Sequence, residues 1–158
     1  MSKTKQIMGL VVSVGIVFCV AWIGGSFTNM SVSTWYPTLN KPTWTPSGST
    51  IGLVWTILYS TMAIAAWIVW SNGGLMTQLR PLLIYAAQLI LNTGWSFLFF
   101  RMRNPEFALV EIVVLWIAIL VTLISFWKVS RVAGALMIPY LLWVSFAAFL
   151  NFLIWRLN

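Results

Sequence analysis

Five long apolar runs limit what this chain can fold into more than any other feature. They cover residues 6–27, 47–70, 81–100, 107–127 and 132–155. A bilayer core about 30 Å thick is crossed by roughly 20 helical residues, and a spanning segment must pair its own backbone groups, as an α-helix does. Each run has the length for one crossing. Composition agrees, since 61% of the residues are hydrophobic and only 7% charged, far from the balance of a water-soluble domain. The first run follows Lys3 and Lys5 and so begins like a secretory signal, but its apolar part is longer than a signal core of about 7 to 15 residues. The spacing predicts a single all-α domain over 1–158, a polytopic bundle of five transmembrane helices. Three of the links are short, so sequential helices are antiparallel neighbours, and residues 28–46 form one longer connection.

Charge sits at the ends of the runs. Nine Lys and Arg stand against Glu106 and Glu111, a formal net charge of +7, and this placement suits phospholipid headgroups rather than nucleic acid. One end of the bundle, here side A, carries Lys3, Lys5, Arg80, Lys128 and Arg131. The other, side B, carries Lys41, Arg101, Arg103 and Arg156. That split sets no absolute orientation, and the identity of the membrane is not encoded in it. Cys19 is the only cysteine and histidine is absent, which excludes an intrachain disulfide and a zinc site of Cys and His ligands. Aspartate is absent too, so paired-carboxylate, Ser-His-Asp and Cys-His catalysis all lack parts. No metal, no resident cofactor and no conventional enzyme are expected. Glu111, about one turn inside the fourth run, is expected to snorkel or to pair with Arg103.

Aromatic and amide residues gather toward side B. At 1.5 Å per residue, Trp55 lies about 12 Å below the start of the second helix, Trp95 about 8 Å from the end of the third and Trp143 about 18 Å from the end of the fifth. Helical spacing widens each into a face: Trp55 with Tyr59, Gln88 with Asn92 and Trp95, and Trp143 with Ala147 and Asn151. Amides within a span need partners in the bundle or a wet cavity, so Asn92 is either an interhelical bond or a binding residue. Most other tryptophans lie near helix ends and read as interfacial anchors. Trp116 is mid-span with no polar companion, which predicts packing or lipid contact. The small pairs Gly9 with Ser13, and Ala21 with Gly25, serve close helix packing or a dimer contact. The stretch "WYPTLNKPTWTPS", residues 35–47, carries three prolines that hold it extended and stiff, and its position makes it a lid over the aromatic face.

"WYPTLNKPTWTP" followed by "IGLVWTILY", then "AAQLILNTGWSFLFF" and "IPYLLWVSFAAFLNFLIWRLN", resemble the translocator protein family, also called tryptophan-rich sensory proteins or peripheral benzodiazepine receptor homologues. The resemblance covers nearly the whole chain. It implies a homodimeric five-helix membrane receptor that binds porphyrins, isoquinoline or benzodiazepine drugs and, in animals, sterols, in a pocket beneath the first loop. Carried over residue by residue, the binding positions are Tyr36, Trp44, Trp55, Tyr59, Asn92, Trp95, Trp143, Ala147 and Asn151. Lys41 joins them as a partner for porphyrin carboxylates, a role open also to Arg101 and Arg103. Two features depart from the family pattern. Pro46 is followed by Ser47 instead of a second proline, which loosens the lid, and Phe152 stands where the animal sterol motif has tyrosine. Other functions compatible with the resemblance are light-dependent porphyrin degradation, with Trp55 and Trp143 beside the excited ring, and transport of tetrapyrroles or sterols.

Overall fold

A computed structural model describes residues 2–158. Five helices are long and apolar enough to cross a membrane, and no strand occurs among the described residues. They are α1 (Lys3–Asn29), α2 (Gly48–Ser71), α3 (Leu79–Ser96), α4 (Pro105–Val129) and α5 (Arg131–Leu157). One helical turn, Gly74–Thr77, lies between α2 and α3, and α3 runs on into a wide π turn, Phe97–Arg101.

The chain marks its own helix starts. Ser2, Ser47, Asn104 and Ser130 each stand just before a long helix and accept from a backbone N–H three residues on, at Lys5, Thr50, Phe107 and Ala133. Small polar side chains do this because the first turn of a helix leaves its N–H groups unpaired. The Ser47 that breaks the family's proline pair is therefore the cap of α2, its Oγ 3.2 Å from Thr50 N. Stiffness given up in the loop is recovered as a fixed helix start.

Packing closes the five helices into a ring: α1 beside α2, α2 beside α5, α5 beside α4, α4 beside α3, and α3 back on α1. The tightest return is between α4 and α5. A Cβ on Gly134 would lie 2.9 Å from Cα of Trp127, so only glycine lets the two helices meet directly after the turn. The centre of the ring is filled by fully buried Tyr140, Phe126, Met62, Ile119 and Met137.

The small residues of α1 are used inside the chain. Ser13 Oγ donates to Ala63 O at 2.7 Å, and a Cβ on Gly9 would collide with the Trp70 ring, which packs directly against that backbone. Ala21 and Gly25 line a cavity toward side B. Both pairs thus serve packing and shape within the chain. Trp116 is also corrected. Its Nε1 donates to Ser145 Oγ at 2.8 Å, a companion supplied by α5 and so not visible along α4.

Candidate functional site

A cavity of about 310 Å³ opens among α1, α2, α3 and α5 beneath the 28–46 connection. Eight of the ten residues selected from sequence line it: Tyr36, Trp55, Tyr59, Asn92, Trp95, Trp143, Ala147 and Asn151. They converge because each pair sits one helical turn apart on the inner face of its helix. Three of the walls are paired rings. Trp55 lies 5.4 Å from Tyr59, Trp95 5.2 Å from Phe99, and Trp143 5.3 Å from Phe146, centroid to centroid.

The polar groups of the cavity are bonded mainly to one another. Tyr59 Oη donates to Asn92 Oδ1 at 2.7 Å, and Asn92 Nδ2 donates to Tyr140 Oη at 2.9 Å. Trp95 Nε1 donates to Asn151 Oδ1 at 3.0 Å, and Asn151 Nδ2 donates to Pro105 O at 2.8 Å. Asn92 is therefore an interhelical bond and a wall residue at once, as is Asn151. These bonds spare the bilayer interior unpaired polar groups. They also hold the Trp95 indole and the Tyr59 and Tyr140 phenols in place, and the rest of the surface the cavity presents is mainly flat π face.

Lys41 and Trp44 are not in the lining. The Lys41 ammonium donates to Tyr36 O at 2.6 Å and Leu39 O at 3.0 Å and lies 4.6 Å from the centre of the Tyr36 ring. It clips the loop instead of reaching the cavity, because the short turn Tyr36–Thr38 brings those carbonyls within the side chain's own length. Trp44 stacks on Phe149 of α5, ring planes 3° apart at 6.1 Å, and touches Phe146. Burial pushes the Tyr36 hydroxyl above its ordinary range, which keeps it neutral. Arg101 and Arg103 are exposed at the side-B rim.

Phe99 and Phe100 were missed in the sequence. Both are buried and both line the cavity, although consecutive residues of an α-helix point about 100° apart. The π turn makes this possible: Met102 N donates to Phe97 O and Asn104 N to Leu98 O, widening the turn so that two neighbouring rings face inward. Ser31 Oγ donates to Phe100 O at 2.7 Å, tying the loop to that turn. The only sequence signal was the aromatic run "FLFF". Glu111 also differs from expectation. Its carboxyl is enclosed with no hydrogen-bond partner, Arg103 included. It lies against α3, where a Cβ on Gly94 would be 3.5 Å from Oε1.

A second cavity, about 370 Å³, lies toward side A, between α1, α2 and α3. Met8, Gly9, Ser13, Trp67, Trp70 and Tyr85 are among its walls. Trp67 Nε1 is bonded to Gln6 O at 2.9 Å, the Tyr85 hydroxyl is shut into the core without a partner, and the rim residues Met8, Val12 and Leu75 are exposed.

The bundle, the aromatic cavity and the proline-rich loop over it coincide with a known pattern. The family model described as TspO/MBR matches residues 13–156. The chain belongs to the TspO/MBR family. Among its relatives is the tryptophan-rich protein TspO of Chlorobaculum tepidum, 43% identical over 155 residues, 98% of each chain. The translocator protein of Homo sapiens is 36% identical over 139 residues, 87% of this chain and 82% of that one. The tryptophan-rich sensory protein of Cereibacter sphaeroides is 40% identical over 124 residues, 78% of this chain and 77% of that one. Membership of the TspO/MBR family and five apolar helices make this an integral, multi-pass membrane protein.

Proposed function

We propose that this protein is a membrane receptor for flat hydrophobic ligands, porphyrins foremost, held in the side-B cavity beneath the first loop. The observation that carries the reading is the cavity's surface: three ring pairs from α2, α3 and α5, with the Tyr59 hydroxyl and the Trp95 indole N–H already bonded across the bundle. Such a surface selects planar π systems through offset and edge contacts worth about 0.5 to 1.5 kcal/mol per pair. The names of two relatives, translocator protein and tryptophan-rich sensory protein, support a role in sensing or moving a small molecule. The cavity volume is at the lower end for drug-sized ligands, so isoquinoline- or benzodiazepine-type molecules fit as it stands. A tetrapyrrole ring is larger: it enters as the loop rises and is held with the loop closed again over its edge. Arg101 and Arg103 at the rim are the cations that meet its carboxylates.

Titration of detergent-solubilised protein with metal-free protoporphyrin, read by quenching of tryptophan fluorescence, tests the proposal. Saturable quenching with one site per chain supports it, and linear, non-saturable quenching rejects it. The same titration under illumination tests a second reading, favoured by Trp55 and Trp143 sharing the cavity. Loss of the porphyrin absorbance bands in light, prevented by replacing both residues with Phe, assigns photo-oxidative breakdown to this site.

A further inference from the structure

The connection over the side-B cavity is tied to the far end of α5 by three hydrogen bonds between Asn40 of the loop and Leu157 and Asn158. Asn158 Oδ1 accepts from Asn40 N at 2.9 Å, Asn158 Nδ2 donates to Asn40 O at 3.0 Å, and Asn40 Nδ2 donates to Leu157 O at 3.3 Å. Asn158 Nδ2 also reaches Ile154 O at 2.8 Å, one turn back on the helix. An amide side chain offers donor and acceptor in one plane, so a single Asn158 satisfies both main-chain groups of Asn40 while closing a helix end whose carbonyls are otherwise unpaired. No other residue type of that length does both.

We propose that Asn158 is a positioning residue for the ligand site: a latch that holds the loop shut over the cavity and sets how fast ligand passes. Three features of the loop converge on this. Its first part is pinned to α3 by Ser31 Oγ on Phe100 O, and its last part by Trp44 on Phe149. Between them, Lys41 braces Tyr36 and Leu39 from inside, which makes the middle a rigid flap whose one tie to the bundle by hydrogen bonds is Asn40. Neither Asn40 nor Asn158 lines the cavity. The bonds therefore act on opening and closing and make no contact with ligand. They are exposed, so water replaces them readily when they break, and their net strength is modest. That suits a latch that must release.

The proposal rests on the receptor reading, and it predicts a kinetic signature that loss of a ligand contact does not produce. In Asn158→Ala, association and dissociation of protoporphyrin, followed by stopped-flow tryptophan quenching, both accelerate about fivefold, one net hydrogen bond's worth, while the Kd moves less than about twofold. Asn158→Asp behaves alike, because its carboxylate faces Asn40 O with no donor. Asn40→Ala changes the rates far less, since two of the three bonds use Asn40 main-chain atoms. Unchanged rates in Asn158→Ala, or a faster dissociation alone with a correspondingly weaker Kd, overturn the proposal. Hydrogen exchange of the 31–46 amides keeps the latch testable apart from the ligand. Exchange there rises in Asn158→Ala if the latch holds the loop, and an unchanged pattern overturns it even where porphyrin binding is absent in the wild-type chain.

Discussion

The bundle holds two cavities of similar size, and they are built differently. The side-A cavity is slightly the larger, about 370 Å³ against about 310 Å³, yet its rim of Met8, Val12 and Leu75 lies open at the bundle's surface. Only one helical turn, Gly74–Thr77, lies near it. The side-B cavity has paired rings on three walls, two amides bonded across helices, and a loop fastened to α3 and α5. Volume alone therefore does not mark the binding site. What distinguishes side B is that two amides bonded across the bundle orient Tyr59 and Trp95, and that something closes it.

Mutations that treat the two cavities alike sharpen this contrast. Trp143→Ala has the largest expected effect on ligand, a loss of about tenfold or more in porphyrin affinity, since removing a whole indole forfeits stacking and buried area together. Trp143→Phe loses less, and Trp70→Ala at the other end leaves affinity alone. Equal losses from Trp143→Ala and Trp70→Ala, measured by fluorescence titration, break the comparison. Next comes the double change Pro42→Gly with Pro46→Gly. Each site gives the loop about 0.4 to 1 kcal/mol of added freedom, so dissociation quickens about fivefold and affinity falls, while circular dichroism stays that of the folded bundle.

Iron has a smaller effect. Among the cavity walls, the only side chains able to bind a haem iron axially are Tyr36 and Tyr59, the second already donating to Asn92, and Cys19 is exposed on α1. Ferric haem and metal-free protoporphyrin then bind within about threefold of each other, and a low-spin six-coordinate spectrum contradicts this. The smallest effect on ligand comes from Gly9→Leu. Its side chain displaces the Trp70 ring at a cost of about 1 to 3 kcal/mol in stability, seen as a lower melting temperature in detergent, with porphyrin affinity unchanged.

Much of this was legible in sequence because a membrane simplifies the reading. Crossing length alone identifies five helices, and a polar residue such as Asn92 within a span must point inward. Helical spacing then carries Trp55 with Tyr59, and Asn92 with Trp95, onto shared faces. What could not be read depends on contacts between helices or on broken periodicity. Trp116 finds Ser145 only once α4 lies on α5. The Lys41 ammonium turns back because of a three-residue turn, and Gly9 is a seat for a ring 61 residues away in the chain. Phe99 and Phe100 were hidden because the 3.6-residue period assumed in reading helices does not hold through a π turn.

That wide turn has a further consequence for how the chain tolerates change in length. Adding or removing one residue within a regular helix rotates everything beyond it by about 100°, which in a five-helix ring misdirects a whole face. At Phe97–Arg101 the surplus residue is already absorbed locally, just before the short connection that leads to Pro105 and α4. Single-residue insertions and deletions among relatives should therefore collect at this point, where the register upstream, and with it the tilt of Asn92 and Trp95 into the cavity, is insulated from the count downstream.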